Sequence, residues 1–201
     1  MEKGVKTRDR ILRAAYQLFL RKGYSDVSLS ELVNAAGLTK GGFYHHFESK
    51  DELFAEVVDR YLLAFYRELR EKLLNAEGNT REKLEALCGE VCSLPAQLLE
   101  GEKKELKFGY YILIFQGIKH YPQFVEKLSD IYCRMRGAVA DILRQGVERG
   151  EIRQDLDCKA AAFQIIAQAE GGLLMWTMDK SIDLNKFNRK SFENIWSSIS
   201  A

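Results

Sequence analysis

Proline is almost missing from these 201 residues: two occur, with no serine- or glycine-rich run to accompany them. A flexible linker between domains is therefore excluded, and any two parts of the chain are expected to join through a helix. No apolar stretch is long enough to span a bilayer and no secretory signal precedes the first helical pattern, so the expectation is a cytoplasmic protein without membrane contact. The four cysteines, Cys88, Cys92, Cys133 and Cys158, are then expected to be reduced thiols. Cys88 and Cys92 could offer two thiolates to a metal, but no second ligand pair has zinc-like spacing, and two small buried residues is the expected reading. Also missing are a nucleophile paired with a base, a phosphate-binding glycine loop and a closed metal-ligand set. These gaps speak against an enzyme: no catalytic residue, metal or cofactor is expected. Nor does one sign of charge dominate, since 30 Lys and Arg face 29 Asp and Glu for a net charge of +1.

What is present is helical periodicity from end to end, with no alternating strand pattern and no internal repeat. The chain is organised around Ser28 to Glu52. Ser28 and Glu31 have capping-box spacing, Leu29, Leu32, Val33 and Ala36 follow on one face, and Gly37 stands where a left-handed residue ends a helix. Thr39 can cap a short second helix from Lys40 to Phe47, and Ser49 with Glu52 forms another box that opens a long third helix. Two short helices so close together need a sharp angle, which is helix-turn-helix geometry. The middle helix carries Gly41 and Gly42, each costing roughly 1 kcal/mol relative to alanine. Bare backbone there suits close approach to a groove wall or phosphate. Phe43 and Phe47 are the expected inward anchors, which leaves Lys40, Tyr44 and at least one of His45 and His46 facing out, able to bond phosphates or base edges. Adjacent histidines point about 100° apart, so they cannot share a metal without a third ligand. Residues 1–50 hold nine basic against five acidic residues and the remainder 21 against 24, so the positive charge sits with this reader.

The stretch TRDRILRAAYQLFLRKGYSDVSLSELVNAAGLTKGGFYHHFESKDELF, Thr7 to Phe54, resembles the DNA-binding domain of the TetR family of bacterial transcriptional repressors. The remaining chain agrees in length and helical pattern. The resemblance implies a helix-turn-helix DNA-binding domain over 1–50, a bridging helix over 50–77, and a helical effector-binding and dimerisation domain over 51–201. By the same resemblance Ser28 and Ser30 match second-helix phosphate contacts, and Thr39, Lys40, Gly41, Gly42, Tyr44, His45 and His46 match the recognition helix. Lys50 matches a phosphate-binding lysine, and the first helix, expected over Thr7 to Lys22 with Ile11, Ala15, Leu18 and Phe19 inward, is placed beside the operator backbone with Lys6 or Arg8 on a phosphate.

Beyond the reader, helices are expected over 50–77, 80–100, 105–119, 122–149, 158–178 and 185–200, about nine in all, giving an all-α fold. Two features suggest more than packing. Aromatic residues crowd the sixth and seventh helices, and Phe65, Phe108, Tyr111, Phe115, Phe124, Tyr132, Met135, Phe163, Met175 and Trp176 are candidates to line an effector pocket, with His120 as a polar handle. For any single ring, core packing is the simpler explanation. The stretch 160–178 is apolar on most of its circumference and rich in small residues, so part of its cover is expected from a second subunit. The resemblance implies a four-helix dimer interface, with Phe163, Ile166, Ala169, Leu173, Phe192, Ile195, Trp196 and Ile199 as candidates; a central helix of a monomeric bundle would read the same way. The function expected is a regulator that binds a palindromic operator in double-stranded DNA as a homodimer and is released by a small hydrophobic or aromatic effector. The alternatives are a helical protein-interaction module and an activator of the same fold.

Overall fold

The computed structural model describes residues 2–98, 109–179 and 181–201. Its helices are α1 (Glu2–Asp26), α2 (Leu29–Ala35), α3 (Lys40–Tyr44), α4 (Lys50–Val58), a π-helical turn (Asp59–Leu63), α5 (Ala64–Leu74), α6 (Thr80–Leu98), α7 (Gly109–His120), α8 (Phe124–Glu148), α9 (Cys158–Met178) and α10 (Leu184–Ile199). No non-helical residue separates α4, the π turn and α5, so these count as one continuous helix and the described residues hold nine helices. The fold is all-α, as expected. The bridging helix ends at Leu74, three residues short of its expected end, and the first helix begins at Glu2 rather than Thr7.

Packing divides the chain into two units, one built from Met1–Phe65 with Gly101–Leu128 and the other from Tyr66–Glu100 with Ser129–Ala201. In the first, α1 buries Ile11, Leu12, Ala15 and Phe19 against Leu32 and Val33 of α2, Phe43 and Phe47, and Leu53, Phe54, Val57 and Val58 of α4. Gly23 interrupts the regular helix with φ 77°, a left-handed value that any side chain would strain. Helix α7 packs along α1, and Gly109 allows it: a Cβ there would overlap the carbonyl oxygen of Leu20. The π turn is tied to the start of α8 by Asp59, which accepts from Tyr121 at 3.0 Å and Lys127 at 2.7 Å.

In the second unit α6, α9 and α10 pack against one another. Asp157 and Asp183 cap α9 and α10 through their carboxylates. Buried Asn188 donates from its side chain to the carbonyl of Cys88 at 2.9 Å, which fixes α10 on α6. The end of α8 crosses the start of α6 at Gly146, where a Cβ would lie 2.6 Å from the Thr80 hydroxyl.

Candidate nucleic-acid interface and effector cavity

The turn between α2 and α3 is assembled from local bonds. The Ser28 hydroxyl accepts from the Glu31 N–H at 3.2 Å, and the Glu31 carboxylate accepts from the Ser28 N–H at 2.8 Å. The same hydroxyl donates to Glu31 at 2.8 Å, and Lys22 pairs with that carboxylate at 2.6 Å. These bonds hold the Glu31 carboxyl at about 2, led by Lys22. Helix α2 ends at Gly37 with φ 62°, where the N–H of Gly37 reaches Asn34 and that of Leu38 reaches Val33, both at 3.0 Å. That is a Schellman ending, which only a left-handed residue makes without strain. Thr39 then caps α3, its hydroxyl accepting from the Gly42 N–H at 3.1 Å.

Phe43 and Phe47 are fully buried, so α3 turns Lys40, Gly41, Tyr44 and His45 to solvent, with Tyr44 53% exposed. The two glycines differ. A Cβ at Gly42 would press on Thr39 at 3.4 Å and on Leu38, whereas one at Gly41 would meet nothing within 4 Å. Gly42 therefore serves the turn, while Gly41 has no steric reason inside the chain. His46 is half-buried, and burial, His45 and Arg8 hold its imidazole below the ordinary value.

Around α3 the structure separates residues that hold the reader from those that face out. Arg8 bonds the Glu56 carboxylate and the His46 carbonyl and lies 4.2 Å over the Phe47 ring. It braces α3 and α4 on α1, a packing role that the basic pattern did not disclose. Lys6 and Ser30 are exposed. The Ser28 hydroxyl gives its proton to Glu31, which makes it a cap before it is a phosphate donor. Lys50 is half-buried with its ammonium 4.2 Å from the centre of the Tyr24 ring, and burial lowers its pKa.

The second unit contains a small cavity, about 20 Å³, walled by α5, α6, α8 and α9. Leu69, Leu87, Val91, Ile165 and Met135 make it apolar, and Tyr66, Tyr132 and Glu170 add the polar atoms. Tyr66 donates to Glu170 at 3.5 Å, and Tyr132 donates to Tyr66 at 3.3 Å. Burial raises the pKa of Glu170, while hydrogen bonds from Tyr132 and Tyr66 pull it the other way. Of the aromatic and methionine residues picked out in the sequence, Tyr132 and Met135 line this cavity. Phe65, Tyr111, Phe115 and Phe124 belong to the first unit, Phe115 being 61% exposed and Phe124 fully buried. Phe163 and Met175 are exposed on α9, Trp176 is half-buried, and Phe108 lies outside the described residues. The His120 ring lies 4.6 Å from the Tyr24 ring in the first unit, tilted by 40°. Glu170 was missed. Its signal was that it is the one charged residue between Ala160 and Met178.

Helix α9 uses most of its circumference inside the chain. Ala169 and Leu173, with Phe192, Ile195 and Ile199 of α10, are buried, and Ile166 and Trp196 are half-buried, so the chain's own core takes most of the side chains expected at a dimer contact. The face left open is Ala160, Phe163, Ala167, Gly171, Met175 and Met178, at spacings of three and four, with Phe163 61% and Met178 66% exposed. Cys88 is buried and Cys92 half-buried, and burial pushes their thiols up to about 12 and about 11. Among the described residues no three His, Cys, Asp or Glu gather to hold a metal, and no helix is long and apolar enough to cross a membrane.

Residues 11–57 match the bacterial regulatory proteins of the tetR family, and residues 119–192 match the tetracyclin repressor-like C-terminal domain. The Escherichia coli HTH-type transcriptional repressor NemR is 38% identical over 78 residues, so the match spans 39% of this chain and 39% of that relative. A transcriptional regulator from Saccharomonospora viridis, solved with choline, aligns with a TM-score of 0.80 at 21% identity over 98% of this chain and 99% of that one. Bacillus subtilis FadR, solved with stearoyl-CoA, aligns at 0.70 and 21% identity over 94% of this chain and 97% of that one. At such identities the structural likeness speaks to the fold, and the two sequence matches speak to the family. With its capped α2, its Schellman turn and its anchored α3, this chain belongs to the tetR family of bacterial regulatory proteins.

Proposed function

We propose that the protein is a cytoplasmic, ligand-responsive repressor that binds a palindromic operator as a homodimer and leaves it when a small organic effector enters the cavity of the second unit. The observation that carries the reading is α3: two buried phenylalanines fix it, and Gly41 keeps one outward position bare for no reason internal to the chain. Lys40, Gly41 and Tyr44 read bases, while Ser30, His45 and Lys50 reach phosphates. One five-residue helix reads too few base pairs alone. The open apolar stripe of α9 supplies the means of pairing two copies, which doubles the contacts across two half-sites.

Regulators of similar fold hold ligands as unlike as choline and stearoyl-CoA, so the lining of the cavity chooses the effector. A cavity of about 20 Å³ has room for one water, so an effector must spread its walls. One wall is α5, which continues through the π turn into α4 and Lys50. An effector that prefers the spread conformation, with its readers wrongly spaced, weakens operator binding by the factor by which the operator weakens the effector.

Selection of binders from a random duplex pool tests this reading without a guess at target genes. An enriched inverted repeat, bound with an affinity that falls steeply with salt, is expected. No enrichment at low salt would sink it.

A further inference from the structure

Cys88 and Cys92 occupy successive turns of α6, with exposed Gly89 beside them and Glu85 almost a turn before. Residues four apart on a helix are neighbours, with Cβ atoms about 5–6 Å apart. Both thiols are free of disulfides, and both residues line a groove of about 290 Å³ in the second unit. Asn185, Asn188, Arg189 and Phe192 of α10 form its facing wall. Asn188 ties the pair to that wall. Its side chain donates to the Cys88 carbonyl at 2.9 Å, and its hydrogen bond to Cys92 offsets part of the rise that burial imposes on that thiol. The two cysteines expected to be mere packing residues thus border one opening.

Gly89 is a second observation that points to a ligand. It stands inside α6, where a glycine weakens the helix. A Cβ there would meet nothing within 4 Å, so no contact with the described residues requires its absence. Gly89 itself lines the groove, so a longer side chain at that position would fill the space next to both cysteines. The glycine keeps the pair open.

Two thiols at this spacing suit some metal ions and not others. A structural zinc site takes four protein ligands, whereas this groove supplies two sulfurs and the exposed Glu85 carboxylate. Copper(I) is a soft ion that thiolates select, and two sulfurs in line satisfy it. Two metal–sulfur bonds of about 2.3 Å span about 4.6 Å, a separation that neighbouring helix turns offer. Burial holds the protons on both sulfurs, and Cys92 and Glu85 add to that hold at Cys88. Only an ion whose bond to sulfur outweighs it can displace them, which favours soft metals over hard ones. Arg189, the cation in the lining, offsets the single negative charge of a copper(I) bis-thiolate, while Glu85 at the exposed end opposes it less through water.

We propose that Cys88 and Cys92 form a two-coordinate copper(I) site in the groove between α6 and α10. As the ion binds, each thiol releases its proton to solvent and two copper–sulfur bonds form, with no change of oxidation state at copper or sulfur. The site needs no third ligand. Its reading is independent of the effector and of the operator, although Cys88 also lines the inner cavity, so a bound ion would hold a residue of the cavity wall.

Anaerobic titration of the reduced full chain with copper(I), against a chromogenic copper(I) chelator, tests the site, with circular dichroism to confirm folding. The wild type is expected to keep one equivalent, and so is the double variant Cys133→Ser with Cys158→Ser, in which the pair is intact. Cys92→Ser should lose affinity about a hundredfold or more, since removing a ligand costs at least what removing a ligand's support does. Cys88→Ala should match it, because a linear site needs both sulfurs. Gly89→Leu keeps the test decisive if the buried Cys88 variant fails to fold: its helix should be more stable and its hold on copper weaker. X-ray absorption of the loaded wild type should show two sulfur neighbours. No equivalent kept by the wild type, full retention by Cys92→Ser, or an equal loss in the Cys133 and Cys158 double variant would overturn the site.

Discussion

The ammonium of Lys50 lies 4.2 Å from the centre of the Tyr24 ring, and the hydroxyl of that same tyrosine donates to Asp51, the next residue along α4. Tyr24 thus grips the start of α4 twice, and the lysine is aimed by a ring rather than left to wander. Replacing Lys50 by alanine should weaken binding to all DNA sequences alike and lower the slope of log affinity against log salt by about one. Lys40→Ala should in addition change which sequences are preferred. Titrations of a selected operator and of scrambled duplexes at several salt concentrations decide this, and an equal loss from both variants with no change in preference would remove the distinction between the two lysines.

Gly41 makes a prediction with two opposite signs. Alanine there meets no neighbour within 4 Å and sits at helical dihedrals, so Gly41→Ala should raise stability, by up to about 1 kcal/mol from helix propensity. Operator affinity should fall, because a methyl group now stands between the backbone and the groove. Gly42→Ala serves as the contrast, since its Cβ would press on Thr39 and Leu38. A Gly41→Ala protein that binds its operator as well as the wild type would show that the bare backbone has no part in recognition.

How much of this was legible depended on how local the cause was. The cap of α2 by Ser28, the left-handed ending at Gly37, the cap of α3 by Thr39 and the anchors Phe43 and Phe47 are set by neighbours within five residues, and spacing alone disclosed them. The bounds of α9, Cys158–Met178, were also readable from the helical pattern. Its facing was not. A helix apolar all round has no periodicity from which to tell an inward Leu173 from an outward Met175, so the residues expected at a dimer contact were mostly core. Arg8 read as a surface charge because its partners Glu56 and the His46 carbonyl are distant in sequence. The cavity was read in part: of the rings and methionines counted along α7 and α8, Tyr132 and Met135 line it, while the rest of its lining is mostly aliphatic and includes a single glutamate that the pattern did not mark.

The proposed pairing of two copies through the stripe on α9 has a test that needs no DNA. Phe163, Met175 and Met178 are more than half exposed, so a charge at one of them costs the single chain little. Met175→Glu should leave helix content and melting of the monomer close to wild type, while buried in an apolar contact the carboxylate should weaken dimerisation ~100-fold or more. Sedimentation of both proteins over a dilution series measures it. A wild type that sediments as a monomer at micromolar concentration, or a variant that dimerises as well as its parent, would point pairing to another face.

Glu151 links acid stability to one identifiable bond set. Its carboxylate accepts from the N–H of buried Thr80 at 2.8 Å and from Arg149 at 2.7 Å, and Arg149 donates in turn to the Thr80 hydroxyl at 2.8 Å. The arginine first, and then Thr80, hold the Glu151 carboxyl down at about 2. The folded value lies below the unfolded value of about 4.3, so the folded chain favours the ionised form. Its contribution is fully present above the unfolded pKa and is lost as pH falls through the folded one. Solvent screening of the arginine pair limits that contribution to about 1 kcal/mol, or a melting shift of about 2–4 °C in a chain of this size. Glu151→Gln keeps the shape and an acceptor for Thr80 while removing the charge. Its melting point should fall below wild type by that amount near pH 7, and the gap should narrow steadily as pH falls from about 4.5 toward about 2. A gap as wide at pH 3 as at pH 7 would mean that the charge is not what holds this corner together.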